Sequence, residues 1–129
     1  MAKTALVTGA SSGIGREIAR DLSARGFRVI LSARREERLR ELAEELGDNT
    51  RVVVCDVSDR EECLRLYEET KSEKISVLVN CAGFGAVGSF DKLPLDTELK
   101  MIDTNVTAVH MLTKLFLKDF VAADRGYIM

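Results

Sequence analysis

The chain has 129 residues, of which 46% are hydrophobic and 31% charged, with a formal net charge of -2. That length makes one domain, spanning residues 1–129 and large enough to bury about two-thirds of the surface its unfolded form exposes. The near balance of charge excludes a general nucleic-acid binder or a protein held on acidic membranes, so any partner has to be argued from a site.

The first apolar run, Thr4-Ala5-Leu6-Val7, is short and β-prone, as suits a parallel strand buried on both faces. Thr8-Gly9-Ala10-Ser11-Ser12-Gly13-Ile14-Gly15 then closes the strand, turns on three glycines and opens a helix. Gly9 can adopt backbone angles closed to other residues, Gly13 lets a ligand approach the main chain, and Gly15 lets helix and strand pack closely. Free N–H groups at the helix start, with the positive end of the helix dipole, make this turn a cradle for an anion such as a pyrophosphate.

The helix presents Ile14, Ile18, Ala19 and Leu22 on one face and ends at Gly26. A second strand, 28–33, runs into Arg34-Arg35 and a second helix, whose inner stripe is Leu39, Leu42, Ala43 and Leu46 before Gly47 stops it. The third strand, 51–55, leads through Asp56-Val57-Ser58-Asp59 into a third helix, with Ser58 and Glu61 spaced as a capping box and Cys63, Leu64 and Tyr67 on the buried face. A fourth strand, 75–80, precedes a glycine-rich segment, 83–88, expected to be mobile. One long helix is then expected from Asp96 to Phe120, with Leu99, Ile102, Val106, Val109, Thr113, Phe116 and Phe120 as a continuous inner face. Tyr127-Ile128-Met129 reads as the start of a fifth strand.

Strand and helix alternating with short connections imply parallel strands joined by right-handed crossovers. The expectation is a three-layer αβα sandwich with strand order 3-2-1-4-5, cut at the start of strand five. In such a sheet the ligand crevice lies where the order reverses, beyond the C-terminal ends of strands one and four. Cys55, Cys63, Cys81 and the single histidine, His110, lack zinc or redox spacing, so no metal site is expected and the thiols read as small buried residues of a reducing compartment. No secretion leader or membrane-length apolar run is evident, which points to the cytoplasm.

The glycine turn, Arg34 after strand two, Asp56-Val57 after strand three and Asn80-Cys81-Ala82-Gly83 after strand four together resemble the N-terminal half of a short-chain dehydrogenase/reductase, built on a Rossmann-type dinucleotide-binding domain. The resemblance implies that Thr8, Gly13, Ile14 and Gly15, with Gly9, Ser11 and Ser12, form the pyrophosphate loop. It implies that Asp56 and Val57 touch the adenine, and that Asn105 is the active-site asparagine of the fourth helix. Asn80, Cys81, Ala82 and Gly83 supply the opposing lip. The family usually has a second asparagine at position 81, but the expected contact there is made by main chain. The residues alone leave alternatives open: Asp56 can merely cap its turn, Asn80 can tie strands together, and Asn105 can serve a structural hydrogen bond.

Cofactor choice has its own argument. An acid at the end of strand two would bind the ribose hydroxyls of NAD(H) and repel the 2′-phosphate of NADP(H). Ala33 stands there instead, followed by Arg34, with Ser32 and Arg35 close enough to help, so NADP(H) is favoured over NAD(H). The resemblance further implies a serine and a Tyr-x-x-x-Lys pair, the latter on the helix after strand five, which would lie beyond Met129; Tyr127 is assigned no catalytic role. The chain is therefore expected to be the cofactor-binding half of a carbonyl/alcohol oxidoreductase, unable to turn over alone, the alternative being a non-catalytic nucleotide-binding or self-assembling module. An uncovered flank of the fourth helix, including Met111, Leu112 and Leu115, or the edge at strand five, is expected to make it a homo-oligomer.

Overall fold

The computed structural model describes residues 3–129. Strand β1 (Thr4–Thr8) is buried along its whole length at the centre of the sheet. It pairs in parallel with β2 (Arg28–Ala33) and β4 (Ile75–Asn80), while β3 (Thr50–Val54) and the two-residue β5 (Tyr127–Ile128) form the edges. The order is β3-β2-β1-β4-β5, as the alternation of elements predicts. In register, Thr8 lies beside both Ser32 and Asn80, so the three central strands end level with one another.

Successive side chains of a strand point to opposite faces, and this alternation builds two cores. Ala5, Val7, Val29 and Leu31 meet α1 (Gly13–Ala24) and α2 (Glu36–Leu46) on one side, through Ala19, Leu39 and Leu42. Leu6, Ile30 and Leu78 meet α3 (Arg60–Thr70) and α5 (Ala108–Ala122) on the other, through Leu66, Leu112 and Phe116. Each such fully buried aliphatic or aromatic side chain contributes about 1.5–3 kcal/mol by leaving water. At the N-terminal end of the sheet, Glu73 accepts from Arg28 Nη1 at 2.7 Å and also from Arg51, which clamps β2 to β3.

Four local expectations are corrected. Ile14 is exposed, because the first turn of α1 lies at the open mouth of the cleft beyond the strand ends. The Ser58/Glu61 capping box does not form: Asp59 is the N-cap of α3, accepting from Glu61 N at 2.9 Å, while Ser58 donates to Asp56. Leu66, not Leu64, packs into the core, since the buried face of α3 runs through Cys63, Leu66 and Thr70. The long helix is interrupted: α4 (Leu95–Ile102) is followed by a π turn (Asp103–Thr107) before α5 begins.

A π turn holds one extra residue, which rotates everything after it by about 100° relative to an unbroken α-helix. The expected apolar stripe therefore splits. Leu99, Ile102 and Val106 are 48%, 50% and 60% exposed, whereas Ala108, Leu112, Phe116 and Phe120 form the buried line. Leu112, expected on an uncovered flank, is 1% exposed, and Met111 packs against the same core. Phe116 also meets the Tyr67 ring edge-on at 5.1 Å. Phe116→Ala is expected to lower unfolding free energy in urea by about 3–5 kcal/mol. Val106→Ala, on the same apparent stripe, is expected to change it by no more than about 0.5 kcal/mol.

Candidate functional site

At the C-terminal end of the sheet, the chain leaving β1, β2, β3 and β4 encloses a cleft of ≈ 290 Å³. Its near wall is the glycine turn. Gly9 has φ of 63°, and a Cβ there would lie 2.6 Å from the carbonyl carbon and oxygen of Cys81. A Cβ on Gly15 would overlap the Gly9 carbonyl oxygen. Two absent side chains thus let the turn, α1 and the chain after β4 touch, backbone to backbone. Gly13, with φ of 57°, has open space where its Cβ would be.

Ser12 is the extended N-cap of α1, but its hydroxyl accepts from Arg35 Nη2 at 3.3 Å rather than capping the helix. The first turn of α1 carries no acidic residue. Its N–H groups, with the positive end of the helix dipole, are left to face the cleft, where Gly13, Ile14 and Gly15 line the wall. Arg35 Nη2 also reaches Ser11 Oγ at 3.4 Å, and with Arg34 it places two guanidinium groups at the same end. Ser32 and Ala33 lie beneath them.

The far end is built by Cys55, Asp56 and Val57. Asp56 Oδ1 accepts from Ser58 N at 3.0 Å and Ser58 Oγ at 2.7 Å, which makes a local turn and leaves Oδ2 without a recorded partner among the described residues. Burial acts to raise the Asp56 pKa, but the Ser58 hydroxyl and backbone bonds, with the charges of Arg34 and Lys100, outweigh it and hold the carboxyl below its ordinary value. One carboxylate oxygen of Asp56 thus closes the local turn, at a residue that lines the cleft. Burial pushes the Cys55 thiol up to about 12 and raises Cys81 as well, so both stay protonated thiols.

Cys81, Ala82 and Gly83 form the opposing lip. Three predicted residues stand behind the cleft instead of lining it. Thr8 Oγ1 donates to Val79 O at 3.3 Å and accepts from Cys81 N and Ala82 N, fastening β1 to the exit of β4. Asn80 Nδ2 donates to Thr113 Oγ1 at 3.1 Å, tying β4 to α5. Asn105, within the π turn, donates from Nδ2 to Phe84 O at 2.7 Å and accepts from Phe84 N at 3.0 Å, so its amide grips one residue of the lip at both backbone groups. A Cβ on Gly83 would sit 2.9 Å from Asn105 Oδ1.

Cys55 and Thr104 line the cleft without having been singled out as binding residues. Cys55 is adjacent to Asp56 at the strand end, a signal that was available. Thr104 is placed by the π turn, which no periodicity reveals. Sequence reasoning also passed over a Tyr-x-x-x-Lys spacing at Tyr67 and Lys71. The structure sets it apart from the cleft: Lys71 lines a cavity with Ile75 at the opposite end of β4. Tyr67 donates to Asp119 Oδ2 at 2.8 Å. Burial and that bond push the Tyr67 pKa up to about 12, the reverse of what an acid catalyst near neutral pH requires.

A parallel sheet in this order, with a glycine turn at its switch point, defines a doubly wound Rossmann-type domain, in which ligands bind past the carboxyl ends of the strands. The family profile described as short chain dehydrogenase matches residues 3–129, and the chain belongs to that family. It is 36% identical over 127 residues to a 3-oxoacyl-acyl-carrier-protein reductase of Rickettsia prowazekii, covering 98% of this chain and 52% of that protein. A metagenomic short-chain oxidoreductase solved with NADP superposes with a TM-score of 0.92 at 34% identity, over 98% of this chain and 59% of the other. A short-chain dehydrogenase from Sphingobium yanoikuyae solved with NADPH gives 0.92 at 30% identity, over 98% and 51%. The chain spans about half the length of the curated relatives it matches.

The Asp56 carboxyl also sets an acid-side prediction. Its folded pKa lies below the ordinary 3.8, so the charged form contributes stability above pH 3.8, and that contribution is lost as pH falls through the folded value. Asp56→Asn is expected to flatten the fall of the urea midpoint with pH in the window below 3.8, and to leave the slope above pH 5 unchanged.

Proposed function

We propose that this chain is the NADP(H)-binding half of an oxidoreductase that moves hydride between the cofactor and a small carbonyl or alcohol, and that alone it binds the dinucleotide without turnover. The observation that carries the reading is the end of β2, where Ala33 occupies the place of a repelling acid, Arg35 reaches the glycine-turn hydroxyls and Arg34 lines the same cleft. Structures similar to this chain that were solved with NADP and NADPH support it.

In this reading the α1 N-terminus, with Gly9, Ser11, Ser12, Gly13, Ile14 and Gly15, holds the pyrophosphate. Arg34 and Arg35 take the 2′-phosphate, for which a planar guanidinium fork is well shaped. Asp56 Oδ2, an acceptor only, suits the amino group of adenine, with Val57, Ala82 and Gly83 as its walls. Thr8, Asn80 and Cys81 keep the lip in place, and Asn105 positions it through Phe84. The cofactor, when bound, supplies hydride chemistry. Reduction of a carbonyl also needs a proton donor beside it, and the half-buried Tyr67 and its neighbour Lys71 stand at the wrong end of the sheet to act as one.

The same reading makes the assembly a homo-oligomer. Leu95, Leu99, Ile102, Val106, Leu117 and Val121 are exposed along α4 and α5, an apolar surface that a second copy can cover, and the short β5 offers a further edge. No helix among the described residues is long and apolar enough to cross a membrane. The three free cysteines suit the reducing cytoplasm.

Calorimetric titration with NADPH and NADH tests the cofactor reading. NADPH is expected to bind at least about tenfold tighter, and Arg34→Ala to weaken NADPH by about ten- to hundredfold while leaving NADH unchanged. Tighter NADH binding, or an Arg34→Ala variant that keeps its NADPH affinity, overturns it. Carbonyl-reductase assays of the 129-residue chain test whether it turns over on its own, and turnover overturns that part of the reading. No turnover is expected.

A further inference from the structure

At the end of the sheet away from the nucleotide cleft, a second cavity of ≈ 360 Å³ opens beside the start of β4; the cleft itself holds ≈ 290 Å³. Ile75, Phe116 and Phe120, each no more than 8% exposed, make its apolar walls. Lys74, Asp119 and Arg125 also line it, and Lys74 and Arg125 are exposed, which leaves the cavity open to solvent on their side. A concave apolar site of this size with a few polar groups is the form that small-molecule sites take.

The charges of this end pair off, with two exceptions. Glu73 is taken by Arg28 and Arg51, Lys71 bonds Glu68 at 2.7 Å and lies over the Tyr67 ring, and Asp119 Oδ2 accepts from the Tyr67 hydroxyl. Lys74 and Arg125 have no acidic partner among the described residues. Nor does either side chain hydrogen-bond, among the described residues, the carbonyls that end α5 and the short helical turn Lys71–Glu73, which is the usual use of a cation beside a helix C-terminus.

The backbone adds a second sign. Lys74 and Asp124 are the only non-glycine residues with positive φ among the described residues, at 55° and 54°. That left-handed conformation strains a residue with a Cβ, and glycine is the usual choice where a helix ends this way. Here one strained residue is a cation on the cavity wall and the other sets the turn that carries Arg125 to it. Strain of this kind collects at functional sites.

We infer that this cavity binds a small monoanion with an apolar body: a carboxylate carried on one aromatic ring or a short branched chain. The body packs on Phe116, Phe120 and Ile75, and the carboxylate meets Lys74 and the Arg125 fork, whose geometry suits two oxygens. One negative charge is the matching number. Asp119 on the wall and the carbonyl ends of the two helices repel a second, so a phosphate dianion is disfavoured. The cavity is separate from the nucleotide cleft, and the inference stands or falls independently of the NADP(H) reading.

The test is a heteronuclear NMR titration of the chain with hydrocinnamate, with its neutral amide and with phenyl phosphate. Hydrocinnamate is expected to saturate with a dissociation constant of about 1 mM or below, the range for a ligand of so few atoms. It is expected to shift the amides of Lys74, Ile75, Ala123 and Arg125 and to leave those of Gly13 and Gly15 in place. The neutral amide and the phosphate are each expected to bind at least about tenfold more weakly. Arg125→Gln and Lys74→Gly are each expected to weaken hydrocinnamate about three- to tenfold. Lys74→Gly is also expected to melt at or above the wild-type temperature, because glycine takes the same backbone without strain. No saturable binding, shifts centred on the glycine turn, equal binding of the neutral amide, tighter binding of the phosphate, or wild-type affinity in either variant overturns the inference. A Lys74→Gly chain that melts below wild type overturns it too, since its lysine would then serve the fold.

Discussion

The site depends on an approach that only missing side chains permit. Gly9 and Gly15 bring the first turn, the start of α1 and the chain after β4 into backbone contact, and any Cβ at either position would overlap a carbonyl. Thr8 then locks the contact, its one hydroxyl serving Val79, Cys81 and Ala82 together. The two lips of the cleft are set at a fixed separation by packing and hydrogen bonding within the central strands, before any ligand arrives. Preorganisation of this kind lowers the cost of binding, since little of the wall must be ordered at that moment.

Polar groups around the cleft divide into two kinds. Those behind it are bonded within the fold: Asn105 to both backbone groups of Phe84, Asn80 through its Nδ2 to Thr113, Thr8 to the chain leaving β4. Those in it keep something spare. Asp56 uses one carboxylate oxygen on Ser58, and Ser32 has a hydroxyl without a partner. A buried polar group left incomplete destabilises the free protein, and such groups gather where a ligand completes them. Asn105 shows the distinction: its residue type and place suggest chemistry, yet its amide is spent on holding the lip.

Much of the fold was legible because its strands are short, apolar and bounded by glycines or turn residues, so β1, β2 and β4 can hardly be anything but buried parallel strands. The glycine turn and Ala33-Arg34-Arg35 were legible because their chemistry is local. The helices beyond β4 were less so. The π turn at residues 103–107 shifts phase by a single residue, and the sequence around Asp103 and Thr104 carries no mark of it. The capping of α3 misread for a related reason: Ser58 and Asp59 both suit an N-cap, and the competing bond from Ser58 to Asp56 decided between them. Spacing without location also misleads, for Tyr67 and Lys71 have the interval of a catalytic pair and sit at the opposite end of β4 from the cleft.

By itself, then, the sequence determined the strand order, the cradle at residues 8–15 and the cationic end of β2, because these follow from periodicity, from glycine's lack of a Cβ and from charge, all properties of neighbouring residues. The tertiary structure decided which side chains reach the cleft. Thr104 and Cys55 come into it, Thr8, Asn80 and Asn105 are withdrawn behind it, and Ser32 is left without a partner. Those outcomes turn on helix phase and on competition among hydrogen-bond partners far apart in the chain. Neither is a local property, and both are settled only when the layers pack.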